Sequence, residues 1–458
     1  MTYVSEKSFM WQKIAVEIEL SDSQEEIIQS IRNGANILYI RFGRHNLQEN
    51  LTLLHLAKQA LLEYSFEISP FKPVIGIACE LSGKWSRLKC HRHQRPIQLQ
   101  LNQRILLTCD KAYEDKQADN VMFVTNLDQR MKQLKTGDLI TISQITLKIC
   151  KLKGKFISCF VKHLPDNGID FQVTNYERVN FYGTNSCDVN DIDLIECNLL
   201  LENNIEYIVV PDIDNEQYVL SIIEMINGSE QSSEISPIIL GSLSPAADDK
   251  TVENLTALIN GIVTDRENIV DLYRKACKVI IFNITDFEKF AENILHTVDV
   301  YLTKSSLQNS LKTKLKTFNQ ASISTFKTGN KLNATCTAIS KCIEYTSISI
   351  KANAIILYIT KSNCEAEWLS RKPLPCPVLI ATSDRRIIQT LLLRKYCFPI
   401  HLPGTILSHR MIIKYVTIYG RKFGYLCPGN ITITGFGEKD IQGVELRYVP
   451  DDFITLCQ

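Results

Sequence analysis

Residues 76–87, GIACELSGKWSR, gather a carboxylate (Glu80), a hydroxyl (Ser82), a glycine turn (Gly83) and an arginine (Arg87) where a strand-like apolar run ends. A strand, a glycine turn and then charge is how an active-site loop looks at the carboxyl end of a barrel strand. Leu81 and Trp85 sit among those polar positions and can do none of that chemistry. Two further groups carry candidate chemistry. Thr360-Lys361-Ser362 ends a strand-like run and opens a helical one, a geometry that cradles phosphate on backbone N–H groups. Cys90-His91-Arg92-His93 holds three residues of metal-ligating type, but the spacing is not that of a zinc site and reads as a solvated hairpin.

The elements that must position these residues follow from hydrophobic periodicity. Strand-like and helix-like runs alternate through two parts of the chain. The first part has strands over 13–19 (KIAVEIE), 36–42 and 73–80, with helices starting at Ser21-Asp22-Ser23 and over 47–64. The second has strands over 206–212, 237–241, 261–266, 279–285 and 298–304, each followed by a helical stretch. Eight strand–helix units specify a parallel sheet, because each parallel pair needs a crossover, and their number favours a closed (β/α)₈ barrel. The interrupting residues hold short alternating runs punctuated by Lys-Gly and Asp-Asn-Gly, an all-β insertion after strand 3. The tail is α/β again, with strands over 354–359, 378–381 and 431–434, reached through a linker at 322–333. The expected division is a barrel over 1–87 and 180–322, a β-rich lid over 88–179 and a C-terminal α/β domain over 323–458.

A chain of 458 residues exceeds one hydrophobic core. Its 45% apolar and 22% charged content is that of a soluble globular protein. With 51 basic and 50 acidic residues there is no global field to attract nucleic acid or an anionic membrane, so neither is expected as a partner, although overall balance leaves a local basic patch open. No apolar run approaches a membrane span, and the first residues lack the apolar core of a signal peptide. Fifteen scattered cysteines without a CxxC pair read as reduced thiols, and the expected location is cytoplasmic.

The order of motifs resembles the pyruvate kinase family from about residue 12 to 452. NGANILYIRFGRHN is similar to the family's second-strand motif and GIACELSGKWSR to its third. CDKAYED falls within the insertion, and PIILGS, NGIVTDRENIV and KVIIFNIT fall where the family carries its lysine, metal acids and threonine. The tail stretches AIILYITKSNCEAEWLSRKPLPCPVLIATSD and GYLCPGNITITGFG resemble the effector-site strand and helix and the closing strand.

The resemblance implies transfer of a phosphoryl group from phosphoenolpyruvate to ADP with Mg²⁺ and K⁺. It also shows that equipment replaced. Tyr39, Arg41 and Gly43 stand where the family has an arginine for substrate phosphate and two neutral ligands of a monovalent cation. Glu80, Leu81 and Ser82 replace aspartate, threonine and lysine, while Gly83 and Arg87 match. Gly241 and Leu243 fall at the lysine and first metal acid, Asn268 at the second metal acid and Ile284 at the threonine. In the effector loop Asn363, Cys364 and Glu365 follow Thr360, Lys361 and Ser362 in place of a glycine, an arginine and a serine.

The expectation is a catalytically impaired relative kept for binding or assembly, needing no cofactor if inactive, and Mg²⁺ and K⁺ if the activity survives. A working divergent kinase and a structural component of a larger assembly are the alternatives. Expected partners are further copies of the chain or an active pyruvate kinase. Arg41 and Arg87 would hold a small anion weakly, or Arg41 would instead pair with Glu80.

Overall fold

The computed structural model describes residues 12–83, 86–89, 97–113, 120–125, 127–142, 145–164, 171–173, 177–181, 191–213, 215–228, 236–243, 249–266, 269–270, 273, 278–284, 298–312, 334–360, 364–372, 374–404, 408–436 and 443–450. The linker expected at 322–333 and the Cys90–His93 cluster lie outside them.

Strands covered on both faces read as continuous apolar runs, and KIAVE is buried at all five positions. The barrel strands are β1 (Lys13–Glu17), β2 (Ile37–Arg41), β3 (Gly76–Glu80), β4 (Tyr207–Ile213), β5 (Ile238–Leu243), β6 (Gly261–Thr264), β7 (Val279–Asn283) and β8 (Val300–Lys304). All neighbours are parallel, and β1 pairs with both β2 and β8, which closes the barrel. Side chains alternate across each strand. Ala15, Tyr39, Ala78, Val209, Leu240 and Leu302 fill the interior. Val16, Ile40, Cys79, Val210, Leu243 and Phe282 pack outward against the helices.

Capping fixes where the first helices begin. Ser23 and Glu26 form a reciprocal capping box before Gln24–Arg32, as Asn46 and Glu49 do before Leu47–Ile68. Each pair satisfies backbone donors that a helix start leaves open.

The insertion leaves the barrel through Leu81–Gly83 and forms a second closed barrel of seven strands with its own apolar core. The tail is a five-stranded sheet ordered Cys397–His401, Val378–Thr382, Ala354–Tyr358, Ile431–Phe436, Gly443–Tyr448, the last strand antiparallel. Cys397–His401 and Gly443–Tyr448 are strands that periodicity alone did not single out.

The tail closes the amino-terminal end of the barrel. Leu392 and Leu393 join the interior core, and Tyr207 Oη donates to the Gln389 carbonyl at 2.8 Å. The Lys13 ammonium lies 3.9 Å from the centroid of the Phe398 ring, and burial lowers its pKa to about 7. The opposite end, where the insertion leaves, holds the carboxyl termini of the strands, the usual place for a site in such a barrel. Among the described residues no helix is long and apolar enough to cross a membrane.

Candidate functional site

At the carboxyl ends of β1, β2 and β3 the inward positions are Glu17, Arg41 and Glu80. Each strand's alternation brings a charge to the mouth after apolar layers. Arg41 and Glu80 are cross-strand partners, with Nη1 3.6 Å from Glu80 Oε2, and Arg41 Nε lies 3.0 Å from Glu17 Oε1. Of the two roles expected for Arg41, the geometry builds the ion pair with Glu80 and adds Glu17.

Beneath this pair Tyr39 Oη donates to Glu80 Oε2 at 2.5 Å. Burial and the Glu80 charge together push the Tyr39 phenol far above its usual range. Burial works against the Arg41 guanidinium, but the Glu80 and Glu17 carboxylates beside it raise its pKa. An outer ring continues the pairing: Arg44 reaches Glu17 at 2.6 Å, and Lys304 reaches Glu19 at 3.0 Å.

The turn after β3 explains its unusual composition. Leu81 is buried in the core between strands and helices. Ser82 is an anchor: its N–H donates to Glu196 Oε2 at 2.7 Å and its hydroxyl to Glu196 Oε1 at 2.5 Å. Glu196 lies in the helix Asp191–Glu202, where burial lifts its pKa to about 7 against the pull of those two bonds. Gly83 has φ 74°, and a side chain there would meet Pro211 Cγ at 2.5 Å.

Arg87 ties barrel to insertion. Its N–H donates to Thr125 Oγ1 at 2.9 Å, and its Nη2 donates to the Ser82 carbonyl at 3.5 Å. The guanidinium lies so close over Gly43 that a Cβ there would come within 2.7 Å of Arg87 Cζ. Burial lowers the Arg87 pKa, while Glu80 and Asp212 pull it upward.

Three expectations need correction. Gly241, Leu243 and Ile284 do not face the mouth. A Cβ on Gly241 would meet Ile213 Cδ1 at 2.5 Å and Ile259 Cδ1 at 2.9 Å, while Leu243 and Ile284 belong to the core between strands and helices. Their neighbours face inward: Ser242 is in register with interior Val263, and Asn283 with interior Leu302. A displacement of one residue along a strand exchanges mouth for wall. The alternation of buried residues on β5 and β7 is the signal that separates the two faces. Asn268, Lys361 and Ser362 lie outside the described residues. Thr360 follows the strand Ala354–Tyr358 of the tail sheet.

Sequence reasoning missed Glu17 and Glu196. Glu17 was detectable as the acid that ends the buried run KIAVE at its carboxyl end, as Glu80 ends GIACE. Glu196 was not, because only the packing of its helix against the β3 turn gives it a partner. Mouth charges that satisfy one another leave little unbalanced field for a ligand.

Neither a scan against protein-family models nor a search of curated proteins finds a match. Among solved structures, the chain is similar to a pyruvate kinase from Cryptosporidium parvum, with a TM-score of 0.67 over 96% of this chain and 96% of that one, at 14% sequence identity. What this chain shares with that enzyme is its fold: a parallel (β/α)₈ barrel, a β insertion after the third strand and a C-terminal α/β domain.

Proposed function

We propose that the chain is a pyruvate-kinase-like protein that has lost phosphoryl transfer and is kept for binding or assembly. The observation that carries this reading is Arg41, whose guanidinium stands between Glu17 and Glu80 at the barrel mouth. Phosphoryl transfer needs cations aimed at phosphate oxygens and carboxylates free to hold a metal. Here the cation and the carboxylates are spent on each other.

The described residues at the mouth do not fit Mg²⁺. Glu17 and Glu80 would have to release a guanidinium to bind it, and β5 and β7 offer Ser242 and Asn283 instead of charge. Among the described residues no group of three or more His, Cys, Asp or Glu could hold a metal ion. A monovalent cation is equally displaced, since Arg41 brings a fixed positive charge to the position where the family has a neutral ligand.

The test is a coupled assay for pyruvate formation from phosphoenolpyruvate and ADP with Mg²⁺ and K⁺, run beside a thermal-shift titration of each component. The expected result is no turnover and no shift with phosphoenolpyruvate or Mg²⁺. Turnover that disappears in Arg87→Ala would instead establish a working divergent kinase. Light scattering with and without an active pyruvate kinase tests assembly, and a strictly monomeric mass in both would remove that role.

A further inference from the structure

The balanced charge of the whole chain conceals an uneven distribution. Residues 88–179 hold fifteen lysines and arginines against nine acids, and residues 139–165 hold five lysines and no acid. Those five, Lys148, Lys151, Lys153, Lys155 and Lys162, lie in or beside the hairpin formed by the strands Ile145–Lys153 and Phe156–His163, and all are exposed. Among the described residues no ion pair engages their ammonium groups, in contrast to the barrel mouth, where Arg41, Arg44 and Lys304 are all paired.

The hairpin's geometry collects these charges on one face. Ile145, Leu147 and Ile149 point into the insertion's core, so strict alternation would next turn position 150 outward and 151 inward. A register shift opposite Ser158 and Cys159 leaves Cys150 out of the pairing, and Lys151 and Lys153 emerge on the same outer face as Lys148. Across the strands a row runs Leu139, Lys148, Phe160, Arg104, each in register with the next. Strands stand about 4.8 Å apart, which sets an aromatic ring between two cations. Phe160 is 44% exposed there, which leaves its ring accessible between the two cations.

We propose that this outer face of the insertion binds single-stranded nucleic acid, with Phe160 as a stacking platform and the hairpin lysines following the phosphates. Alternate residues of an extended strand recur about every 7 Å, so Lys151 and Lys153 on the strand, with Lys155 in the turn beyond it, present positive charge that an extended polyanion can track. An exposed aromatic among cations is what turns general anion attraction into a preference for unpaired bases. The proposal is independent of the barrel mouth, and it replaces the expectation, drawn from the overall charge, that nucleic acid is not a partner.

Fluorescence anisotropy with the full chain and a labelled 20-nucleotide mixed-sequence single strand tests it, beside the matching duplex and labelled poly-glutamate, at several salt concentrations. Single-strand binding is expected, weakening with salt by a log–log slope near −3, since each phosphate contact contributes about −0.7. Lys151→Glu/Lys153→Glu should weaken it at least tenfold. Phe160→Ala should weaken it about tenfold on the single strand with the salt slope unchanged. Circular dichroism confirms that the variants stay folded. Absence of binding at low salt overturns the proposal. So does equal affinity for poly-glutamate or duplex with no effect of Phe160→Ala, which would make the face a general polyanion or acidic-protein surface.

Discussion

Replacing Arg41 with methionine asks whether the barrel mouth is held together by its own charges. The Arg41 side chain is 18% exposed, and its partners Glu17 and Glu80 are 6% and 12% exposed. At separations of 3.0 and 3.6 Å and an effective dielectric near 20, each attraction is worth roughly 5 kcal/mol before desolvation. Desolvation of three charged groups offsets most of that sum. Methionine preserves much of the side-chain volume but removes the shared cation from two buried carboxylates. Breaking such a pair from one side costs about 3–5 kcal/mol. Arg44 still reaches Glu17 and Tyr39 still donates to Glu80, which places the expectation near ~3 kcal/mol.

Urea unfolding followed by circular dichroism, read on the barrel transition, measures it. Adding Glu80→Gln to Arg41→Met should recover about 1–2 kcal/mol, because glutamine keeps an acceptor for Tyr39 without a stranded charge. Arg44→Met, at a side chain 41% exposed, should cost under ~1 kcal/mol. An Arg41→Met protein within ~0.5 kcal/mol of wild type, or one that Glu80→Gln fails to rescue, would mean that these carboxylates are well solvated. The self-neutralised mouth would then be refuted.

Two predictions concern pH. Burial holds Glu196 at about 7, above the ~4.3 of an unfolded carboxylate, so between those values the folded chain keeps a proton that the unfolded chain has lost. Stability from this group therefore falls as pH rises through that window, by up to ~1.4 kcal/mol per unit, and Glu196→Gln should flatten the dependence. An identical change in stability at pH 5 and pH 8 for wild type and variant would exclude it. Lys13 has the opposite sign. With its pKa lowered to about 7, the unfolded chain binds the extra proton from there to about 10.4, and stability rises with pH across that range. Lys13→Met should stabilise the protein at pH 7 by about 2–4 kcal/mol, the lower figure allowing for the lost contact with Phe398, and the gain should close towards pH 10. A variant less stable than wild type at pH 7 would show that the ammonium earns its place at the tail interface.

The alternation of apolar runs determined the barrel by itself. Eight strand–helix units can bury their strands on both faces in few ways, and the spacing of KIAVE, ILYIR and GIACE leaves little freedom in register. The all-β insertion was equally legible, because its short period-two runs differ from the helical stretches on either side. The replaced polar groups of GIACELSGKWSR were visible as residue types, yet their roles were not. Ser82 has a purpose only because Glu196, more than a hundred residues away, packs beneath it, and Gly43 only because Arg87 crosses over it. Gly241, Leu243 and Ile284 mark the boundary most clearly: matching short motifs locates a strand but carries an uncertainty of one residue, and one residue is the whole difference between mouth and wall. The charge at the mouth belongs to the tertiary structure for the same reason. Glu17, Arg41 and Glu80 come from three separate strands, and only the parallel pairing of those neighbouring strands brings them within reach of one another.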